Sequence, residues 1–250
     1  MIVLLTDFGL EGPYIGQVAA VLHRQAPGVP VVNLFSDLPP FDIEAAACLL
    51  PAYTSRLPPG TVCLCVVDPG VGGARPACAV AAGGRWYVGP DEGLFTLLAR
   101  QTGVRNCYRL PEVQGAAPSF HGRDVFAPAA ARLACNGRVA DDWGTAEPTL
   151  RDDWPDDLPR VVYIDRFGNA VTGLRAGAVA ASAVLRVNGH ELSRAVTFSA
   201  VDVGRAFWYE NANGLVEIAV NRGRADVVLD VEVGTSVELQ VMWSGSGRRS

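Results

Sequence analysis

The chain of 250 residues contains no lysine, because all 21 of its basic residues are arginines. A protein without lysine has no Schiff-base nucleophile, no lysine anchor for pyridoxal phosphate and no P-loop lysine. Its net charge of −5 and sequence pI near 5.2 leave no overall basic field for binding phosphate backbones, so we expect no nucleic-acid partner. These absences exclude several classes of cofactor and partner.

Metal-ligand patterns and long apolar runs are also missing. The chain has three histidines, and none of its six cysteines forms a C-x-x-C pair, so we expect no metal and no other cofactor. No apolar run approaches the roughly 18–20 residues of a membrane span, so we expect no membrane partner. No signal peptide precedes the apolar residues 2–5, which favours a cytoplasmic protein.

The first 145 residues alternate between strand-like and helical patterns. Apolar runs predict strands at residues 2–6, 31–34, 61–67, 77–82 and 85–88, the last two joined by a Gly83-Gly84 hairpin. Apolar residues at helical spacing predict helices at residues 14–25, 42–50, 93–100 and 125–135. Strands interleaved with helices predict an N-terminal α/β domain at 1–145, whose sheet is mostly parallel and flanked by helices.

The composition changes at residues 146–159, where aspartates and prolines cluster without periodicity and predict a linker. Beyond it, short apolar runs predict strands at residues 161–164, 184–187, 207–210, 215–220, 227–231 and 237–242. Asn188-Gly189 and Asn213-Gly214 are strong hairpin signals among them. The pattern predicts a smaller C-terminal all-β domain at 160–244, a barrel or a sandwich, followed by a flexible tail at 245–250.

Two carboxylates of the N-terminal domain directly follow apolar strands, where ligands of open α/β sheets bind. Asp7 ends the first strand, and it can either accept the hydroxyl hydrogens of a ribose or cap the next helix. Asp68 ends the most apolar strand and is followed by a glycine-rich segment that lets Arg75 fold back toward it. That contact would be either part of an active site or a structural ion pair.

Two further groups are candidates. His121 lies at a junction between a loop and a helix, but spacing alone does not show that it meets Asp68. In the C-terminal domain Asp165 again follows an apolar strand, Phe167 could stack on a planar base, and Asn169 could pair with a purine edge. The competing interpretation of residues 165–169 is a polar turn.

Six motifs together, in order along nearly the whole chain, resemble one enzyme family. They are Thr6-Asp7-Phe8-Gly9, Pro39-Pro40-Phe41-Asp42-Ile43, Val67-Asp68-Pro69-Gly70-Val71-Gly72, Gly89-Pro90-Asp91, Phe120-His121-Gly122-Arg123-Asp124 and Ile164-Asp165-Arg166-Phe167-Gly168-Asn169. The family is that of the S-adenosyl-L-methionine (SAM) hydroxide adenosyltransferases, or SAM hydrolases, which are relatives of the SAM-dependent fluorinase and chlorinase.

The resemblance implies an N-terminal α/β domain, a C-terminal β-barrel and a homotrimer with active sites between neighbouring subunits. It implies hydrolysis of SAM to adenosine and methionine without a cofactor, by a water that Asp68, Arg75 and His121 position. It assigns the ribose hydroxyls to Asp7, and the methionine and adenine ends to Asp165 and Asn169. The other substrate-binding positions that it implies are Phe41, Phe120, Gly122, Phe167, Asn211, Glu217 and Val220.

Two departures from the family pattern affect details of the site. Ala212 stands where relatives often carry serine, which removes or replaces one hydroxyl contact to the ligand. Residues 33–36 read Asn-Leu-Phe-Ser in place of the usual acidic and histidine positions.

Three other functions remain open at this point. A chlorinase-like halogenase would use the same substrate, although halogenases lack the Asp-Arg-His set. A sensor would bind SAM or adenosine without chemistry. A metal-dependent hydrolase could be built on the strand-end aspartates, and its activity would be lost in a chelator.

Overall fold

The computed structural model describes residues 1–240. The chain divides into two compact units, Met1–Trp154 and Pro155–Ser250. Residues 241–250 lie outside the described residues, as do the predicted tail at 245–250 and the end of the strand predicted at 237–242. Across residues 1–240, no helix combines the length and the apolar character that crossing a bilayer demands.

The first unit contains seven strands and four α-helices. The strands are β1 (Ile2–Thr6), β2 (Val31–Phe35), β3 (Val62–Val66), β4 (Ala77–Ala82), β5 (Arg85–Pro90), β6 (Val104–Arg109) and β7 (Gly144–Ala146). The helices are α1 (Tyr14–Gln25), α2 (Ile43–Thr54), α3 (Thr96–Thr102) and α4 (Ala127–Asn136). A π-helical turn, Gly122–Phe126, leads directly into α4.

All seven strands form one sheet in the order β2-β1-β3-β5-β4-β6-β7. The pairs β1–β2, β1–β3 and β3–β5 are parallel, whereas β4–β5, β4–β6 and β6–β7 are antiparallel. The α/β class is confirmed, and the sheet is mixed where sequence predicted a mostly parallel one. The reason is the hairpin turn at Gly83 and Gly84, whose φ angles of +54° and +77° reverse the chain between β4 and β5.

The central strands explain why this sheet is buried. Every residue of β1 and β3 is buried, as expected for parallel strands covered on both faces.

Helix α2 is capped by Asp42, whose carboxylate accepts a hydrogen bond from the Ala45 N–H at 2.9 Å. None of the six cysteines, which all lie within the described residues, forms a disulfide, and Cys63 and Cys65 are buried.

The second unit is dominated by antiparallel strands. They are β8 (Leu158–Ile164), β9 (Ala170–Arg175), β10 (Val184–Val187), β11 (His190–Leu192), β12 (Ala206–Glu210), β13 (Leu215–Val220) and β14 (Glu238–Gln240). They form one sheet ordered β11-β10-β14 and another ordered β12-β13-β9-β8. Both Asn-Gly hairpins are confirmed, at the β10–β11 and β12–β13 connections.

This unit differs from the sequence prediction in several features, including the strands β9 and β11, which were not predicted. Residues 227–231 do not form a strand, because the chain turns into the short helix α5 (Ala225–Val228), which leaves Val227 and Val228 exposed. Within residues 155–240 the strands do not close into a continuous barrel. Single bridges, Arg160–Ser236 and Arg194–Trp208, connect the two sheets within the described residues, and β11 is only three residues long.

Candidate active site

Asp7 and Asp68 lie at the same edge of the first sheet. They follow the carboxyl ends of the adjacent parallel strands β1 and β3, whose register pairs Thr6 with Val66. The Asp7 N–H donates to the Val66 carbonyl oxygen at 3.2 Å, which fixes the two chain ends side by side. Burial, with a smaller contribution from the Asp68 charge, raises the pKa of Asp7 above its usual value.

Arg75 joins Asp68 to His121. Its Nε donates to Asp68 Oδ1 at 2.8 Å, its Nη2 donates to Asp68 Oδ2, and Nη2 also lies 2.8 Å from His121 Nδ1. The side chains of Arg75 and Asp68 are 4% and 6% exposed, so this is a buried, bidentate ion pair. Arg75 therefore contacts Asp68, as the glycine-rich segment allowed, and also His121, which sequence spacing alone did not bring to it.

The contact with Arg75 determines the tautomer of His121. A guanidinium has only donors, so His121 Nδ1 must accept the hydrogen bond, and the ring proton of a neutral imidazole then resides on Nε2. Burial and the Arg75 charge both lower the pKa of His121 below its ordinary value of 6.5, against smaller opposing effects of Asp68 and Asp124. His121 is therefore neutral near pH 7 and offers Nε2–H as a donor.

The segment between Asp68 and Arg75 depends on its glycines. Gly72 has a φ angle of +79°, and a Cβ atom there would lie 2.7 Å from the Pro118 carbonyl oxygen. Both the backbone conformation and the close approach to the segment before His121 thus require glycine. Glycine at position 72 therefore allows the loop between Asp68 and Arg75 to pack closely against Pro118.

Gly72→Ala is expected to lower the free energy of unfolding by about 1–2 kcal/mol or more, because alanine adopts this left-handed conformation only at a cost. Gly16→Ala is a matched control within helix α1, where a Cβ meets nothing within 4 Å, and it is expected to raise stability by about 0.5–1 kcal/mol. Urea denaturation monitored by circular dichroism measures both. Equal effects of the same sign would contradict this account of the loop.

Phe41 orients Asp7 through its backbone. The Phe41 N–H donates to Asp7 Oδ2 at 3.1 Å, and Phe41 has a φ angle of 62°, an unusual conformation for an aromatic residue. Its ring is exposed. This arrangement leaves Asp7 Oδ1 without a contact from Phe41 and presents an aromatic ring beside the carboxylate.

Phe120 and Gly122 flank His121. The Phe120 ring packs edge-on against Phe8 and Tyr14, with centroids 5.7 and 5.4 Å away. A Cβ on Gly122 would lie 2.7 Å from Phe8 Cζ, so glycine is required for the π-helical turn to approach this aromatic cluster. Both residues therefore support the position of His121 within the first unit.

The second unit has a cavity of about 680 Å³ that gathers most of the predicted residues of that unit. Its lining includes Asp165, Phe167, Asn169, Glu217 and Val220. Phe167 is 73% exposed, so its ring is free to stack on a ligand.

Asp165 builds the turn that shapes one wall of this cavity. Its Oδ1 accepts hydrogen bonds from the Phe167 and Asn169 N–H groups at 2.8 Å each, and its Oδ2 accepts from Asn169 Nδ2 at 3.0 Å. The polar-turn interpretation of Asp165 is therefore correct, and it is compatible with a cavity-lining role.

Glu217 projects from β13 and is held by two donors. Tyr209 Oη donates to Oε1 at 2.5 Å, and Asn211 Nδ2 donates to Oε2 at 2.9 Å. Burial raises the pKa of Glu217, while these hydrogen bonds oppose that effect. Asn211 is not part of the cavity lining, so it acts on the cavity through Glu217.

Sequence reasoning missed several side chains around these sites. The guanidinium of Arg75 lies over the Phe126 ring at 5.2 Å, and Phe198, Tyr209, Arg222 and Arg224 also line the second-unit cavity. No sequence signal identifies the Arg75–Phe126 contact, because it depends on packing between residues far apart in the chain. Tyr209 could have been inferred from the register that places it opposite Glu217 on β13.

Comparison with known proteins identifies relatives along the whole chain. Residues 2–142 match the SAM hydroxide adenosyltransferase N-terminal domain, and residues 159–238 match the C-terminal domain of that family. The chain is 44% identical to the (R)-S-adenosyl-L-methionine hydrolase of Thermus thermophilus, over 94% of this chain and 97% of that protein.

More distant relatives extend the comparison. A crystal structure of an uncharacterized conserved protein from Thermotoga maritima superposes with a TM-score of 0.86 at 30% identity, covering 96% of this chain and 100% of that one. The fluorinase of Nocardia brasiliensis is 24% identical over 96% of this chain and 97% of its own length. With both domains matched and 44% identity to a hydrolase over nearly the full length, the chain belongs to the SAM hydroxide adenosyltransferase family.

Proposed function

We propose that this protein hydrolyses SAM to adenosine and L-methionine by direct attack of a water at C5′ of the ribose. One C–O bond forms, the C5′–S bond breaks with its electron pair moving to sulfur, and one proton is released. The observation that carries this proposal is the contact among Asp68, Arg75 and His121, in a chain that is 44% identical to a SAM hydrolase. The sulfonium is already an excellent leaving group, so the enzyme's main task is to position and activate water.

The three side chains have complementary roles in this mechanism. His121 is neutral with its Nδ1 lone pair engaged, so its Nε2–H donates to the attacking oxygen, and it does not act as the base. The Arg75 charge favours hydroxide character in that oxygen, since bulk water has a pKa of about 15.7. Asp68 holds Arg75 through both oxygens, and its remaining lone pairs accept a hydrogen bond from the water.

Substrate binding is assigned to the residues around the two sites. Asp7 accepts hydrogen bonds from the ribose hydroxyls, Phe41 covers the sugar, and Phe120 and Gly122 shape the wall beside His121. In the second unit Phe167 stacks on the adenine, while Asp165, Asn169, Glu217 and Val220 surround the polar ends of the ligand. Asn211 positions Glu217. The support for these roles is the hydrogen bonding of Asp7 and Glu217 and the lining of the 680 Å³ cavity.

The sulfur configuration is a defined part of the proposal. The Thermus relative is named for the (R) compound, and because L already specifies the amino-acid carbon, R designates the sulfonium centre. We therefore expect the R epimer at sulfur to be the preferred substrate. Each pure epimer is incubated with the protein, and adenosine and methionine are quantified by chromatography. No adenosine from either epimer would overturn the proposed function.

The halogenase alternative uses the same incubation with chloride or fluoride added. We expect no halogenated 5′-deoxyadenosine, because the Asp68–Arg75–His121 set presents donors and a carboxylate to water in place of a bare halide site. Accumulation of 5′-chloro-5′-deoxyadenosine would favour a halogenase. Binding of SAM without any product would favour a sensor.

We also propose that the reaction needs no metal and no other cofactor, because displacement of a neutral thioether from a sulfonium requires no Lewis acid. Activity is expected to survive prolonged dialysis against a chelator. Loss of activity that added divalent metal restores would favour the metal-dependent hydrolase.

The assembly and the compartment are proposals that rest on the family. We propose a homotrimer, with each active site formed between one subunit's N-terminal unit and a neighbouring subunit's C-terminal unit, and a cytoplasmic location. Six cysteines that form no disulfide among the described residues support a reducing compartment. A monomer in sedimentation analysis at working concentration would contradict the shared site.

The pH dependence of turnover follows from His121. Its pKa is lowered, so the neutral form that accepts from Arg75 persists until the pH falls below the ordinary value of 6.5. We expect kcat/KM to fall only below that pH. In the His121→Gln variant, we expect this fall at acid pH (the acid limb of the profile) to be absent. A midpoint above pH 6.5 would contradict the lowered pKa of His121 and its neutral state at pH 7.

A further inference from the structure

A second cavity of about 450 Å³ lies in the first unit, away from the strand-end carboxylates. We name it the Trp86 cavity, and its lining includes Ala81, Arg85, Trp86, Arg105, Tyr108 and Arg138. Trp86 pairs with Val62, the first residue of β3, whereas Asp68 follows the other end of that strand. At about 3.3 Å per residue the two places are separated by roughly 20 Å along β3.

Two aromatic side chains, Trp86 and Tyr108, line the cavity beside the small side chain of Ala81. The rings of Trp86 on β5 and Tyr108 on β6 lie with centroids 6.1 Å apart at an angle of 48°. Between those strands runs β4, and Ala81, which pairs with Trp86, is too small to fill the space. Both aromatic residues also pack against the core of the first unit, so they present a rigid surface for a planar ring.

The charges around the cavity have one sign. Among the described residues that line it there are three arginines and neither aspartate nor glutamate, in a chain whose net charge is −5. Arg85 is fixed by the carbonyl oxygens of Ser55, Leu57 and Gly83, which are neutral acceptors and do not cancel its charge. Arg138 forms an exposed ion pair with Asp141, and Arg105 is an exposed lining residue.

We propose that the Trp86 cavity binds a nucleoside phosphate, with the base against Trp86 and Tyr108 and the phosphates on Arg105 and Arg138. An aromatic surface rimmed by guanidinium groups matches the two chemical parts of such a ligand, since arginine is well suited to phosphate and aromatic rings stack on bases. The cavity volume lies in the range of small-molecule sites. This inference does not depend on the proposed hydrolase activity.

The test uses the full-length protein with ATP as the probe, followed by calorimetry and by tryptophan fluorescence. Saturable ATP binding is expected, with tripolyphosphate binding more weakly than ATP. Arg105→Glu changes an exposed residue and is expected to weaken ATP binding about tenfold or more, as loss of a charge-assisted hydrogen bond does. Arg24→Glu, an equal charge change at an exposed position of α1 outside the cavity, is expected to leave it unchanged.

Two further readouts locate the ligand. Trp86→Phe is expected to abolish the fluorescence change while calorimetry still detects binding, and Arg105→Glu is expected to hydrolyse SAM at the wild-type rate. The proposal is overturned by the absence of saturable ATP binding at millimolar concentration, by equal ATP affinity in wild type and Arg105→Glu, or by tripolyphosphate binding as tightly as ATP.

Discussion

Asp68→Ala is expected to lower SAM turnover by about 10²-fold or more, because the water loses an acceptor and Arg75 loses the carboxylate that holds it. The same variant is expected to lose about 3–5 kcal/mol of stability, since removing one partner of a buried ion pair leaves an uncompensated charge. Because both side chains are buried, Asp68→Ala is expected to affect folding as well as catalysis. Turnover and denaturant unfolding are measured on the same preparation.

Two controls separate the catalytic effect of Asp68 from its structural effect. Asp142→Ala removes the carboxylate from the exposed pair with Arg132, and little change in unfolding or turnover is expected there. Asp68→Asn retains the shape of the side chain and is expected to be more stable than Asp68→Ala yet still slow. Near-wild-type turnover in Asp68→Asn would show that the mechanism does not need the carboxylate charge.

His121→Ala is expected to lower kcat by a similar factor, about 10²-fold or more, while the free energy of unfolding changes far less than in Asp68→Ala. The difference arises because His121 contributes a neutral donor at the water, and its loss leaves the Asp68–Arg75 pair intact. The measurement is steady-state kinetics with a melting curve for each variant.

His121→Gln tests whether Nε2–H acts as a donor. A glutamine side chain has N–H donors but no group that titrates, so partial activity without an acid limb is expected. His23→Ala is the matched histidine control, because His23 is an exposed residue of helix α1 and is expected to leave kcat unchanged. Equal kcat in His121→Ala and the wild type would contradict the role assigned to His121.

Much of the fold was accessible from local patterns. The buried strands β1 and β3 were visible as apolar runs. The glycine-containing turns at 83–84, 188–189 and 213–214 predicted three hairpins, because few residues other than glycine and asparagine adopt those backbone angles. β6 was missed because its burial is interrupted by exposed residues, and α5 was mistaken for a strand because its β-branched valines favour strands.

The candidate site was only partly accessible in the same way. Asp7 and Asp68 could be identified as strand-end carboxylates, because the position of parallel strands brings their ends to one edge. The Arg75–His121 contact spans 46 positions of sequence, and no local pattern encodes it. Only the three-dimensional structure shows the tautomer of His121, the bidentate geometry of Arg75 and the position of Arg75 over the Phe126 ring.

The most direct test of the central claim is to incubate the metal-free protein with SAM in ¹⁸O-water and to locate the label by mass spectrometry. Displacement at C5′ predicts adenosine carrying one ¹⁸O on its 5′ oxygen and unlabelled methionine, with this product strongly reduced in His121→Ala. Label in homoserine alongside methylthioadenosine, or adenosine without label, would contradict water attack at C5′ and leave the Asp68–Arg75–His121 contact without the role assigned to it.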